Sequence, residues 1–341
     1  MSKPLVQRAP SNPNNAAIAD KALLPSQWYQ LNQSSEQAEF LAITAAALPL
    51  SNRGFAYGDG FFTTMRVAQG NICWQAQHLA RILNHAKALS FAIDTQTISQ
   101  LASQLLQQAQ ALKDGMLKLV ITRAAQSMRG YGFADSEAGQ ACDYWLQAIP
   151  TTSATLTAQS EILTLPDGTE VTLHEPIKAV CLEAQIACLP PTLAGLKTLN
   201  RLDSVLASAE LQRAKSAALI NPPVEGLVKD MGGDWVEGTM SNVFYRLKDS
   251  QHEHKGHWYT PPLTRSGVKG VMRSIIIESF SDYEKPVIER YLTDKDLPHI
   301  TQMFFCNAVR GVMPVAQLAL DAQMQLGLLP IDSASLNSVI T

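Results

Sequence analysis

A stretch of ten residues, PTTSATLTAQ from Pro150, limits the folds open to this chain more than any other feature. It opens on proline, is rich in Thr and Ser, and has neither helical nor strand periodicity, so no regular element is expected to run through it. It divides the 341 residues into two halves, each long enough for a core of its own.

Both halves mix strands with helices. AQHLARILNHAKALSFA, 76–92, sets Leu79, Ile82, Leu83, Ala86 and Leu89 at helical spacing, and Thr97 to Leu112 does the same with Ile98, Leu101, Leu105 and Ala109. Residues 27–75 read as short strands and turns; in RGFAYGDGFFTTMRV, Gly58 and Gly60 give a tight turn into a Thr-bearing β run. MLKLVITRA from Met116 and CDYWLQAI ending at Ile149 read as strands. In the second half EILTL, EVTLH, AVCLEA, ALIN, WVEGTMSNVFYRL, HWYTPP and MFFCNA read as strands. Helices are expected from Leu202 to Ala214 and from Val268 to Phe280.

The resulting fold class is α/β, of the α+β kind in its first half. The expected organisation is a flexible arm over 1–25, a small α+β domain over 26–149, a linker over 150–158 and a larger domain over 159–341.

Charge narrows the function. The net charge of -3 comes from acidic and basic residues interspersed along the chain, which leaves no positive field to hold nucleic acid. Five widely spaced cysteines form no CxxC pair, so reduced thiols in a cytoplasmic protein are expected. The first fifteen residues lack an apolar signal core, and the longest apolar run, FLAITAAALPL, is too short to span a bilayer and contains proline. HEHKGH, from His252, has three imidazoles but no Cys or fixed carboxylate, so it reads as a solvated hairpin tip and no metal is assigned.

Three segments carry chemistry. In LAGLKTLNRLDSVLASAEL, Lys197 stands among leucines just ahead of a helix. Apolar surroundings disfavour its charged form and free the amine for attack on an aldehyde, although such a lysine can equally run its stem to water. In DWVEGTMSNVFYRL, Glu237 lies among apolar strand residues, where a carboxylate needs a cationic partner unless it faces solvent at an edge. In RSGVKGVMRSIIIE, glycines precede a helix whose free N–H groups suit a phosphate, and Arg81 could supply a bidentate counter-charge.

Together these segments resemble the fold-type IV pyridoxal-phosphate enzymes, the family of branched-chain and D-amino-acid aminotransferases and 4-amino-4-deoxychorismate lyase. The matching blocks are RGFAYGDGFFTTMRV, QHLARI, LKLVITRAAQSMRGYGF, AGLKTLNRLDSVLASAEL, WVEGTMSNVF, YTPPLTRSGVKGVMR and CNAVRGVMPV, collinear from about 53 to 315. The paired Thr63 and Thr64, where branched-chain aminotransferases carry Glu-Gly, resemble the lyase branch, as do Arg129-Gly130-Tyr131, the Lys197–Leu202 run and Asn307-Ala308.

The resemblance implies a cofactor, pyridoxal 5'-phosphate, held between two domains, and a homodimer. It makes Lys197 the Schiff-base lysine and Glu237 the partner of the pyridine nitrogen. Arg81, Val271, Met272 and Ala308 become phosphate binders, Thr64 a residue beside the reacting atoms, and Arg129 a binder of substrate carboxylates. The implied reaction converts 4-amino-4-deoxychorismate to 4-aminobenzoate and pyruvate; an aminotransferase acting on D-amino or branched-chain amino acids is the alternative. Met272 stands where aminotransferases commonly have Thr, so only its amide is left for the phosphate. Asn52 replaces a usual Asp, a change expected to bear on the turn.

Overall fold

The structure, a computed structural model, describes residues 26–32, 39–43, 49–151, 160–248, 256–321, 323–332 and 336. The N-terminal arm, nearly all of the linker and the HEHK part of the histidine-rich tip lie outside the described residues.

The first half runs β1 (Gln27–Asn32), β2 (Glu39–Ala42), α1 (Arg53–Tyr57), β3 (Gly60–Ala68), β4 (Asn71–Ile72), α2 (Gln75–Leu89), α3 (Thr95–Leu112), β5 (Gly115–Arg123), α4 (Glu137–Gln140) and β6 (Cys142–Pro150). Its strands form one antiparallel sheet in the order β2-β1-β6-β5-β3-β4. Strand alternation sends Phe61, Thr63, Met65 and Val67 of β3 into the core with Leu117, Leu119 and Ile121 of β5. Ile82 and Ala86 of α2 and Leu101, Leu105 and Ala109 of α3 close over that face. Asp94 caps α3 by accepting from the Thr97 N–H at 2.7 Å. Phe62, Thr64 and Arg66 of β3 and Lys118 of β5 lie on the opposite, half-open face.

One helical turn, α1, stands in the region read as strands and turns. Asn52 explains it: its side chain accepts from the Phe55 N–H at 3.2 Å and donates to Thr122 Oγ1 at 3.0 Å. Asn52 thus stands at the start of a turn. Gly58 ends α1 in the left-handed region at φ +65°, and a Cβ there would lie 1.9 Å from Asn200 Oδ1.

The second half runs β7 (Ser160–Thr164), β8 (Glu170–His174), β9 (Ile177–Ile186), α5 (Leu202–Ala217), β10 (Glu225–Asp230), β11 (Trp235–Gly238), β12 (Asn242–Leu247), β13 (Tyr259–Thr260), α6 (Val271–Ser279), β14 (Ile288–Glu289), β15 (Ile300–Asn307), β16 (Gly311–Ala319) and β17 (Gln325–Gly327). All its strands join one sheet. Within it β12 pairs with both β11 and β15, β15 with β16, β16 with β9, β9 with β10 and β10 with β11, so six strands close on themselves. Val243, Tyr245, Met303 and Phe305 pack in one cluster with Leu227 and Val315. The alternate residues Phe244, Phe304 and Cys306 pack against Val271, Ile275 and Ile276 of α6. The fold is thus mixed α/β, a six-stranded sheet beside a closed barrel.

WVEGTMSNVFYRL, read as one strand, is two, β11 and β12, paired antiparallel across a turn, and two more expectations need correction. ALIN, 218–221, is a bend, with Leu219 99% and Ile220 87% exposed. The strand comes later, at β10, because EGLVKD pairs on both sides with β9 and β11 whereas among the described residues no strand pairs with ALIN. The helix expected from Val268 starts at Val271, because the Val268 and Lys269 N–H groups bond to Glu237 and Gly195 and Gly270 is extended. Among the described residues no helix is long and apolar enough to cross a membrane.

Candidate active site

The segment from Gly195 to Leu199 is hydrogen-bonded on one side to β3 and on the other to the loop ahead of α6. On one side the Phe62 N–H donates to the Lys197 carbonyl at 3.0 Å and the Leu199 N–H to the Gly60 carbonyl at 3.1 Å. On the other the Lys269 N–H donates to the Gly195 carbonyl at 2.9 Å. Gly195 has φ +80°, and a Cβ would meet the Lys269 side chain at 2.9 Å, so a residue without a side chain is needed where the strip turns.

This strip places Lys197 Nζ 4.6 Å from the Phe62 ring centre, over the half-open face of β3. Lys118 Nζ lies 5.2 Å from the same ring. Burial lowers the Lys197 pKa below the ordinary lysine value, Arg81 lowers it further, and Glu237 acts the other way. A partly uncharged amine results, as aldehyde attack and proton abstraction require.

Glu237, on β11, is 8% exposed. Its Oε2 accepts from the Val268 N–H at 2.8 Å and from Asn242 Nδ2 at 3.4 Å. Burial raises its pKa, opposed by the Val268 N–H, Arg201 and Lys197. A carboxylate so placed gains most from a further cation or N–H donor.

Arg81 reaches from α2 to donate to the Lys269 carbonyl at 2.9 Å, two residues ahead of α6. It has no carboxylate partner among the described residues, and burial pushes its pKa down to about 10. Val271 and Met272 open α6, whose N-terminus has no side-chain cap. Ala308, in the turn between β15 and β16, packs in the same apolar cluster as Val271 and Met272. In that turn Asn307 Oδ1 accepts from the N–H groups of Val309 at 3.0 Å and Arg310 at 2.8 Å.

The two threonines part company. Thr63 is buried and its Oγ1 lies 2.7 Å from His78 Nδ1 in the core. Thr64 is on the open face with Phe62, opposite Lys118 in the sheet register. Arg129 stands exposed on the loop after β5. Arg53 holds the next part of that loop, bonding to the carbonyls of Gly130, Tyr131 and Gly132.

Three residues with no role assigned from the sequence join the site. His85, one turn beyond Arg81 on α2, accepts the Lys197 N–H at 2.8 Å, and the spacing of the two within QHLARILNHAK was the available signal. Arg201, inside the quoted Lys197–Leu202 run, donates to the Leu196 carbonyl and adds positive potential at Lys197 and Glu237. Asn242 bonds to Glu237 and to the Val268 carbonyl, the latter at 2.8 Å; only its place in GTMSN hinted at this.

The chain is similar to known proteins in sequence and in fold. The sequence model for amino-transferase class IV matches residues 60–318. An aminodeoxychorismate lyase of Vibrio harveyi is 29% identical over 277 residues, covering 80% of this chain and 88% of that protein. The crystal structure of 4-amino-4-deoxychorismate lyase from Pseudomonas aeruginosa superposes with a TM-score of 0.65 at 30% identity, covering 86% of this chain and 93% of that one. The branched-chain amino acid aminotransferase of Escherichia coli shares the fold, with a TM-score of 0.64 at 20% identity and 87% of each chain covered.

The cofactor of this family is pyridoxal 5'-phosphate, and the residues present fit it. A lysine of lowered pKa, a buried carboxylate that has two donors among the described residues, an arginine with no carboxylate partner among them and a helix N-terminus with no side-chain cap would suit its aldehyde, its ring nitrogen and its phosphate. A matching family model over 60–318, on a barrel and sheet that carry these groups, establishes that the chain belongs to the amino-transferase class IV family of fold-type IV pyridoxal-phosphate enzymes.

Proposed function

We propose that the chain is a carbon–oxygen lyase that converts 4-amino-4-deoxychorismate to 4-aminobenzoate and pyruvate, a step of folate biosynthesis. The observation that carries this reading is the position of Thr64, a hydroxyl on the open face of β3 beside Phe62, where the Lys197 amine lies. An elimination needs a proton donor or relay near the departing enolpyruvyl group, and a threonine there can hold that proton. The lyase relatives at 29% and 30% identity support the same reading.

When bound, pyridoxal phosphate withdraws electrons from the carbon that bears the substrate's amino group. Lys197 would hold its aldehyde carbon and, as a free amine, remove the proton from that ring carbon. Glu237 would keep the ring nitrogen protonated, and Arg81 with the amides of Val271, Met272 and Ala308 would hold the phosphate. Loss of the enolpyruvyl group leaves an aromatic ring, which drives the elimination. Lys118, across from Thr64, and Arg129, on its loop, are the cations available for the two substrate carboxylates.

A homodimer belongs to this reading. Leu202, Val205 and Leu206 of α5 are 80%, 58% and 66% exposed, an apolar face that a second copy would cover. The deciding test is to supply 4-amino-4-deoxychorismate and measure both products. Equal amounts of 4-aminobenzoate and pyruvate are expected. Rapid turnover of D-alanine or L-leucine with 2-oxoglutarate, and no 4-aminobenzoate, would replace the lyase with an aminotransferase.

A further inference from the structure

Both backbone polar groups of Lys197 are held from the first half of the chain, by different elements. Its carbonyl accepts from β3 and its N–H donates to a side chain of α2, His85 Nε2, at 2.8 Å. His85 is buried and its ring lies 5.4 Å from that of Phe61, the neighbour of Phe62 on β3. One turn earlier on the same helix, Arg81 grips the Lys269 carbonyl, and the Lys269 N–H bonds back to the Gly195 carbonyl. A closed circuit results: Arg81, Lys269, Gly195, Lys197, His85, and along α2 back to Arg81.

The chemistry of the contact sets the state of the ring. A donor meets Nε2, so Nε2 carries no proton and His85 is neutral. Burial and the Arg81 charge hold its pKa down, to about 3, so the acceptor persists throughout the neutral range. Nδ1 has no hydrogen-bond partner among the described residues. A residue serving only to fill this space would do so at less cost as Leu or Phe, because a buried polar atom without a partner is destabilising.

We infer that His85 is a positioning residue for Lys197: through Nε2 it fixes the backbone from which the amine projects, and through α2 it ties that position to Arg81. The inference rests on the assignment of Lys197 as the cofactor-binding amine. Misplacement of a reacting group by about 1 Å can cost about a hundredfold in rate, so the effect should fall on turnover more than on substrate binding.

The test compares His85→Leu, which keeps bulk but loses the acceptor, with His85→Gln, whose amide oxygen can reach the Lys197 N–H. Holoenzymes are assayed with 4-amino-4-deoxychorismate, and the visible circular dichroism of bound pyridoxal phosphate is recorded as a readout of its orientation. His85→Leu should lower kcat by about tenfold to a hundredfold, change KM by less than about threefold and weaken the visible dichroism, with His85→Gln restoring all three. Should His85→Leu not fold, His85→Asn, whose amide stops short of the Lys197 N–H, takes its place against His85→Gln. Wild-type kcat and dichroism in the acceptor-free variant would overturn the inference, as would equal losses in the variants with and without an acceptor. If the wild-type protein itself binds no pyridoxal phosphate at Lys197, the reading of the site fails instead.

Discussion

Glu225 and Glu237 lie on neighbouring strands, β10 and β11, and both are buried, at 4% and 8% exposure. Glu225 is saturated with donors. Its oxygens accept from the N–H groups of Gly226 and Thr239, each at 2.9 Å, from the Thr239 hydroxyl, and from the Ser241 hydroxyl at 2.7 Å. Glu237 has two donors, both on Oε2, so Oε1 accepts from none among the described residues. The first carboxylate is spent on holding the turn between β11 and β12, which leads into Asn242. The second keeps capacity for a ligand, and burial holds its pKa up. Two buried acids thus differ in the hydrogen-bonding capacity left to them, because one has four donors and the other has two among the described residues.

The strongest way to break this contrast is at the amine that interacts electrostatically with Glu237. Lys197→Ala should lower turnover by at least about 10³-fold and abolish the visible absorbance of bound cofactor, while the protein stays folded. Activity together with colour in that variant would remove the site altogether. Next come the two isosteric changes. Glu237→Gln should cost about tenfold to a thousandfold in kcat with little change in Tm. Glu225→Gln should cost about 1–3 kcal/mol of stability, seen as a Tm lower by a few degrees, with kcat in the folded fraction nearly unchanged. The reverse pattern in kinetics and calorimetry would show that the roles have been exchanged.

The smallest effect is a pH dependence in the cofactor-free protein. Burial raises the Glu237 pKa above its ordinary value of 4.5, so in that window the folded state binds more protons than the unfolded state. Its contribution to stability is therefore full below pH 4.5 and is lost as pH rises through the folded-state value. Asp230, held by Arg265 and Ser266, slopes the opposite way: its pKa is lowered, and its contribution fades as pH falls below 3.8. Stability measured by denaturant at several pH values should show the wild-type advantage over Glu237→Gln shrinking as pH rises from about 4.5. An advantage that grew with pH would mean that Glu237 is already paired without ligand.

Much of the fold could be read from periodicity. The helical stripes of α2 and α3 and the strands β3, β5, β6 and β12 have apolar patterns that tertiary packing then uses. ALIN and EGLVKD show the failure: Leu219 and Ile220 stay exposed while a strand forms over a segment that contains Gly, Lys and Asp. What decides there is a partner on each side, which local composition does not encode. Site residues divide in the same way. Lys197, Glu237, Arg81 and the start of α6 were picked out by neighbours in the chain, whereas His85 and Asn242 matter through contacts with residues far away in it.

The sequence by itself determined the chemical inventory and its order: a lysine among leucines, a carboxylate in a strand, glycines before a helix, and two threonines that strand alternation must turn to opposite faces. Only the tertiary structure decided which threonine lies on the face of the amine, that His85 and β3 grip Lys197 from two elements, and that Arg129 is exposed on a loop. The physical reason is that proton affinity and hydrogen-bond capacity depend on burial and on neighbours brought in from distant parts of the chain, and these are set by long-range pairing.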